Sequence, residues 1–117
     1  MTTDSPHDIT IRPHGGRFRV RFAGRVVVDT TRALDLAEGS MRSVLYVPRE
    51  DAVMTAFVPT PRHTHCPFKG EASYFTLQAE GREAQNAVWS YETPLPGAAG
   101  IKGHLAFYTD QVEIEQG

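Results

Sequence analysis

The residues best suited to chemistry lie in one short segment, residues 62–70, which reads R-H-T-H-C-P-F-K-G. Two histidines, an arginine, a lysine and the chain's single cysteine fall within these nine positions. Prolines before and inside the segment disfavour regular structure, and functional sites are often carried on loops. We therefore expect residues 59–70 to form a loop that carries a functional site.

Metal binding is the first chemistry that these residue types allow, because His63, His65, Cys66 and His104 are all zinc-ligand types. Structural zinc sites usually have spaced ligand pairs such as C-x-x-C, which a chain with one cysteine lacks. In an extended segment His63 and His65 would face the same side, so a catalytic site with three histidines stays open as an alternative. We predict no metal and no cofactor.

Nucleophilic catalysis is the second chemistry that these residue types allow, with Cys66 beside His63 or His65 as a thiol–imidazole pair. Cationic neighbours at positions 62 and 69 would favour a thiolate. The preferred interpretation is a buried, inert cysteine, which is common for a free thiol. The candidate catalytic residues are therefore Cys66 as nucleophile and His65 or His104 as general base, and we leave open whether the protein is an enzyme.

Anion binding is the third possible chemistry. Cationic donors come together next to the flexible Gly70, namely Arg62, His63, His65 and Lys69. The phosphate-binding pattern G-x-x-x-x-G-K-[ST] is absent from the sequence. A solvated charged loop is the alternative.

Aromatic residues that could line a ligand pocket follow this segment. Trp89 and Tyr91 lie two positions apart and so face the same side of a strand. Tyr74 and Tyr108 could converge on them, because tyrosine and tryptophan combine apolar surface with a polar group. Phe75 and Phe107 are better explained as core residues.

Composition predicts one soluble domain of 117 residues with an ordinary core. A net charge of −2 and a pI near 6.2 argue against a nucleic-acid partner. Arg17, Arg19 and Arg21 alternate with apolar residues, which indicates the solvent face of a strand. The apolar runs are too short for a membrane helix, and a single cysteine fits a reduced thiol in the cytoplasm.

The pattern along the chain is that of short strands between turn signals, which predicts a mainly β fold. We expect residues 1–16 to be flexible or loosely attached and residues 17–117 to form a single domain. Residues 17–22 and 25–30 predict a β-hairpin, and residues 48–51 a helical first turn or type I turn. Residues 31–38 could form two helical turns or an irregular excursion that buries Leu34 and Leu36. Further strands are expected at 43–47, 52–58, 73–79, 83–91, 104–108 and 111–115, with a long exposed loop at 93–103.

Four ungapped motifs resemble one family over nearly the whole chain. They are R-V-V-V-D-T-T-R-A-L, Y-V-P-R-E-D, H-T-H-C-P-F-K-G-E-A-S-Y and A-V-W-S-Y-E-T-P-L-P-G-A-A-G-I-K-G-H-L-A-F-Y. They resemble the domain of unknown function 427 family, also labelled nucleotidyltransferase-like. The resemblance implies a compact β-tent: two antiparallel sheets of about eight short strands, with one or two short helices. This fold is similar to the thalidomide-binding domain of cereblon and to methionine sulfoxide reductase B.

The resemblance also implies where a site would lie. β-Tent relatives commonly hold zinc with two C-x-x-C knuckles, which this chain cannot form, and no second cysteine is present to resolve a sulfenic acid. Paired carboxylates for metal-dependent nucleotide transfer are not apparent either. The feature of the β-tent relatives that the resemblance still implies for this chain is a pocket between the sheets. Its expected lining is Tyr74, Trp89, Tyr91 and Tyr108, with His63, His65, Lys69 and His104 at its mouth.

We therefore predict that the protein binds a small polar or anionic ligand in an aromatic-lined cleft between two sheets. Arg62 and Lys69 would hold the charge, the histidines would orient the ligand, and Trp89 and Tyr91 would stack on it. A small enzyme using the same cleft is one alternative. A protein-interaction module that uses residues 60–70 and 93–103 is another, and exposed edge strands would allow a homodimer.

Overall fold

The computed structural model describes residues 8–40 and 42–116, which form ten strands and three short 3-10 helices. The mainly β class is confirmed, although the strands form three antiparallel sheets rather than the two expected. The strands are β1 (Ile9–Pro13), β2 (Phe18–Phe22), β3 (Arg25–Thr30), β4 (Leu34–Glu38), β5 (Val44–Tyr46), β6 (Phe57–Cys66), β7 (Gly70–Ala79), β8 (Arg82–Ser90), β9 (Ala106–Phe107) and β10 (Glu113–Gln116). The 3-10 helices are η1 (Arg49–Asp51), η2 (Met54–Ala56) and η3 (Pro96–Ile101).

The first sheet has the order β1-β4-β5. Its central strand, β4, lies where we expected either two helical turns or an irregular excursion, and neither forms, although Leu36 is buried as the second alternative required. Leu36 and Glu38 are buried while the residues between and before them are only half-buried, so the segment has the two-residue period of a strand. β1, which the sequence did not predict, pairs along the whole of β4. Residues 1–7 of the N-terminal segment lie outside the described residues.

The second sheet has the order β10-β2-β3 and contains the predicted hairpin. Phe18 and Val20 are buried against the core, whereas the arginines between and beside them point outward. Arg17 forms a two-pronged ion pair with Asp29, and Arg21 lies 3.0 Å from Glu115 of β10. These contacts confirm the arginine stripe as a solvent-facing strand surface.

The third sheet has the order β6-β7-β8-β9. Most of the segment predicted as a loop at 59–70 is strand β6, so the loop shrinks to the turn at 67–69. Pro59 and Pro61 are accommodated because β6 is an edge strand and its register with β7 shifts between Pro59 and His63. The strand predicted at 52–58 is wrong over most of its length, since η2 occupies its middle and only Phe57 and Val58 belong to β6.

The segment at 93–103 is not the fully exposed loop that we predicted. It contains η3, and both Ala98 and Ile101 are completely buried. The helical or type I turn predicted at 48–51 is confirmed as η1. At the end of the chain, the predicted strands are present as the short β9 and β10.

Two groups of buried apolar residues form the core. The larger one joins the second and third sheets and includes Val20, Val28, Leu77 and Leu105. The smaller one lies between the first and third sheets and includes Leu36, Tyr46, Tyr74, Tyr91 and Ile101. The smaller group contains three tyrosines, and the candidate site opens beside it. Within the described residues no helix is long and apolar enough to cross a membrane.

Candidate functional site

A buried ion pair lies at the base of the candidate site. The Nζ atom of Lys69 donates a hydrogen bond to Oε1 of Glu38 at 2.5 Å, and the two side chains are 13% and 10% exposed. Burial on its own would lower the pKa of Lys69, but the hydrogen bond to Glu38 and nearby negative groups raise it above its ordinary value. Lys69 is therefore a charged donor beside a carboxylate.

The turn at 67–69 positions this lysine. Gly70 follows it with φ of +111°, a conformation that glycine adopts without strain. The amide N–H of Leu95 donates a hydrogen bond to the carbonyl oxygen of Lys69 at 2.9 Å, so the segment before η3 holds the turn in place. From here the lysine side chain reaches β4 of the first sheet.

Tyrosines surround the ion pair. Tyr46 and Tyr91 are almost completely buried, and burial raises the pKa of each hydroxyl above its ordinary value. Both therefore stay protonated near neutral pH. As neutral hydroxyls they can donate as well as accept hydrogen bonds.

Tyr74 has a different environment. Its hydroxyl shares a hydrogen bond of 2.9 Å with Thr64, and the Arg62 guanidinium carbon lies 5.0 Å from its ring centre. Burial would raise the pKa of Tyr74, but hydrogen bonds with Thr64, Tyr108 and Arg62 lower it overall. Burial and the contact with Tyr74 raise the pKa of the neighbouring Tyr108.

Trp89 forms one wall of the site. Its Nε1–H donates a hydrogen bond to the hydroxyl of Tyr46 at 3.2 Å, and the two rings meet edge to face with centres 6.5 Å apart. On its other side the ring of Tyr108 packs at 4.8 Å between centres. Tyr108 is 43% exposed, so this wall extends to the molecular surface.

These side chains line a cavity of about 310 Å³, which we call the polar chamber. Residues of the first sheet form one side of it and residues of the third sheet form the other, so it is a cleft between two sheets. Its lining is Leu36, Glu38, Arg42, Val44, Tyr46, Lys69, Tyr74, Trp89, Tyr91 and Tyr108.

Five predicted ligand-binding residues therefore come together: Lys69, Tyr74, Trp89, Tyr91 and Tyr108. Arg62 is an exposed neighbour that stacks on Tyr74 outside the lining.

The three histidines do not join them. His63 and His65 share one face of β6, as expected, but both are exposed while Thr64 and Cys66 between and beside them turn inward. His63 Nδ1 lies 3.5 Å from Glu71, and His104 Nδ1 lies 3.1 Å from the carbonyl oxygen of Lys102. None of the three lines the polar chamber.

Cys66 is half-buried and packs against the smaller core group next to the chamber. A free thiol in this position has the surroundings of a small apolar core residue, although the cationic Lys69 is near enough to interact with it. Within the described residues, no three His, Cys, Asp or Glu side chains gather closely enough to hold a metal ion.

Five lining residues were not predicted from the sequence, and three of them carry polar groups: Glu38, Tyr46 and Arg42. Glu38 belongs to a segment predicted as helical, and its ion-pair partner is 31 residues away. The inward position of Glu38 could have been found only by recognising β4 as a strand. Tyr46 lay in a correctly predicted strand, and its aromatic hydroxyl was the available signal.

Comparison with known proteins gives one family match, which covers nearly the whole chain. The model of a family described as "Domain of unknown function (DUF427)" matches residues 10–117. The match confirms the resemblance that the sequence motifs indicated. Comparison with curated proteins gave no significant match.

Proposed function

We propose that this chain, which belongs to the DUF427 family, binds a small polar ligand in the polar chamber. The observation that carries the proposal is the buried Lys69–Glu38 pair facing an aromatic-lined cavity. Ligand sites are typically apolar concavities with a few well-placed polar groups, of about 300–1,000 Å³. At about 310 Å³ the chamber suits a ligand of roughly one ring or one short chain.

The charge distribution favours a ligand that is neutral at its buried end. Glu38 already compensates Lys69, so an anion placed against the lysine would also approach a carboxylate. A carboxamide matches both groups, since its oxygen accepts from the ammonium and its N–H donates to the carboxylate. Arg42 is exposed and could still pair with an anionic group at the mouth.

Trp89 and Tyr108 supply the apolar contact. Their rings pack against each other with planes tilted by 54°, and both line the same cavity, so a flat or aliphatic group can pack against them. The protein would act in the cytoplasm, where its single free thiol stays reduced. Binding without catalysis is the function that these contacts support best, because the candidate histidines lie outside the chamber.

The test is a thermal-shift screen built from matched pairs of small carboxamides and carboxylates, such as benzamide and benzoate, followed by calorimetry on the hits. We expect carboxamides to raise the melting temperature more than their carboxylate partners. Tyr108→Ala, which removes an exposed wall residue, should weaken binding by about ten-fold, the value of one good aromatic contact.

Phe68→Ala is the matched control, because Phe68 is a similarly exposed aromatic outside the chamber lining. It should bind the same compounds as the wild type. If no compound shifts the wild type, or if Tyr108→Ala binds every hit as tightly as Phe68→Ala does, the chamber is not a ligand site. A consistent preference for the carboxylates would instead show an anion site.

A further inference from the structure

A second cavity borders the polar chamber. It also measures about 310 Å³, and we call it the apolar chamber. The residues that line it but not the polar chamber include Phe18 of β2, Leu45 of β5, Phe107 of β9 and Ile114 of β10. Arg42, Val44, Trp89 and Tyr108 line both cavities, so the two are neighbours that share one wall.

The shared wall separates polar from apolar surface. Trp89 directs its indole N–H to Tyr46, and the Tyr108 hydroxyl interacts with Tyr74; both of these partners line only the polar chamber. The polar ends of Trp89 and Tyr108 are thus engaged in the polar chamber. The carbon atoms of their rings remain available to the apolar chamber.

Apolar surface in the second cavity is incompletely covered. Leu45 and Ile114 pack against the larger core group yet are only half-buried, whereas Phe18 and Phe107 are buried below them. Apolar surface that stays open to water beside a polar site is a common mark of ligand recognition.

Tyr108, which belongs to the shared wall, is 43% exposed, so the wall ends at the molecular surface. We propose that one ligand passes over this exposed edge, with its polar end in the polar chamber and its hydrocarbon part in the apolar chamber. The ligand class is then a small amphiphile: a carboxamide, or a comparably polar neutral group, carrying a short alkyl or aryl chain. This inference rests on the proposed function, and it adds that affinity is set by chain length. The second sheet, through Phe18 and Ile114, becomes part of the site.

The experiment titrates a series of straight-chain carboxamides, from butanamide to octanamide, while following the fluorescence of Trp89, the single tryptophan of the chain. Affinity should rise about three- to four-fold for each added methylene until the chamber is full, because one buried methylene contributes about 0.8 kcal/mol. The hexanamide-to-butanamide affinity ratio in the wild type should therefore be about ten-fold or more.

Two variants fill the apolar chamber from its exposed side, Ser43→Phe and Thr109→Phe. Each should reduce the hexanamide-to-butanamide ratio towards one, and two variants guard against the misfolding of either. Ser40→Phe is the control, since Ser40 is exposed and lines neither chamber, and it should keep the wild-type ratio.

The outcomes separate the two proposals. If neither the compounds of the thermal-shift screen nor any carboxamide of the series binds, the proposed function itself is wrong and this inference fails with it. If compounds of the screen bind but no straight-chain carboxamide does, only the amphiphile inference is wrong. If the amides bind with affinities that do not depend on chain length, the polar chamber stands and the amphiphile inference is wrong. The amphiphile inference is also wrong if the ratio in Ser43→Phe and Thr109→Phe equals that in Ser40→Phe.

Discussion

At the scale of single residues, the Lys69–Glu38 pair is costly for the protein to maintain. Both side chains are almost completely removed from water, and burying two charges costs several kcal/mol before their attraction offsets it. Such a pair is weak support for a purely stabilising role, because an apolar pair would pack at least as well. Its position in the lining of a cavity supports the proposal that it takes part in ligand recognition.

Removing one charge of this pair should lower the free energy of unfolding far more than removing both charges. Lys69→Met should lower the free energy of unfolding by about 3 kcal/mol or more, because Glu38 is then left charged in a buried site. Adding Glu38→Gln should recover most of that loss, and urea denaturation of the two single variants and the double variant measures the coupling.

The comparison pair for this experiment is Arg32 and Glu50, which are 59% and 77% exposed and 3.8 Å apart. Glu50→Gln should change the free energy of unfolding by only about 0–1 kcal/mol. A double variant that is no more stable than Lys69→Met would contradict the burial argument.

At the scale of elements, the sequence predicts strands well where the alternation is local. The hairpin of β2 and β3 is predictable because Phe18, Val20 and the arginines alternate within five residues. The helical prediction for β4 is wrong because its inward residue Glu38 is acidic, and its partner Lys69 is distant in the sequence. No local pattern marks a buried carboxylate as a core position.

The candidate site, like the strands, could be predicted from the sequence only in part. The side-chain types at Lys69, Trp89 and Tyr91 indicated a polar, aromatic site, and they do meet in one chamber. The histidines of β6 lie outside it because residues 59–66 form a strand, not a loop whose side chains could converge. In a strand the two-residue period commits His63 and His65 to one face, and that face is exposed.

Gly70 shows how one element boundary depends on a single residue. It has φ of +111°, and a Cβ atom there would lie 3.4 Å from both Leu95 N and Thr93 O. Gly70→Ala should therefore cost about 1–3 kcal/mol of stability through backbone strain. Because the turn carries Lys69, the same change should weaken ligand binding.

Gly97 is the matched control within η3, since a Cβ atom there meets nothing within 4 Å and its φ is not positive. Gly97→Ala should be neutral or stabilise the protein by about 0.4–1 kcal/mol. Thermal melts of the two variants make the comparison, and equal melting temperatures would show that the Gly70 conformation is not required.

At the scale of the whole molecule, His14 joins distant parts of the chain. Its Nδ1 lies 3.1 Å from Asp35 of β4, and its Nε2 lies 2.7 Å from Oε1 of Gln116 of β10. Both partners are acceptors, so the doubly protonated ring satisfies them together. The hydrogen bonds with Gln116 and Asp35 raise the pKa of His14 above 6.5.

Because the folded pKa exceeds the unfolded value, this contribution to stability is complete below about pH 6.5 and is lost as the pH rises through the folded pKa. The free energy of unfolding of the wild type should therefore decline from mildly acidic to mildly alkaline pH. In His14→Gln this part of the decline should disappear. Urea titrations at several pH values compare the slopes, and identical slopes would rule out His14 as the cause.

The two prolines of β6 have a consequence beyond the shape of the third sheet. β6 is one of the two edge strands of that sheet, and an unpaired edge can template pairing with another chain and so start aggregation. Pro59 and Pro61 carry no amide hydrogen, and the register is broken between Pro59 and His63. A strand from another molecule would therefore lack backbone N–H partners at residues 59 and 61 of β6. Ordered β-pairing between molecules cannot readily extend across these residues.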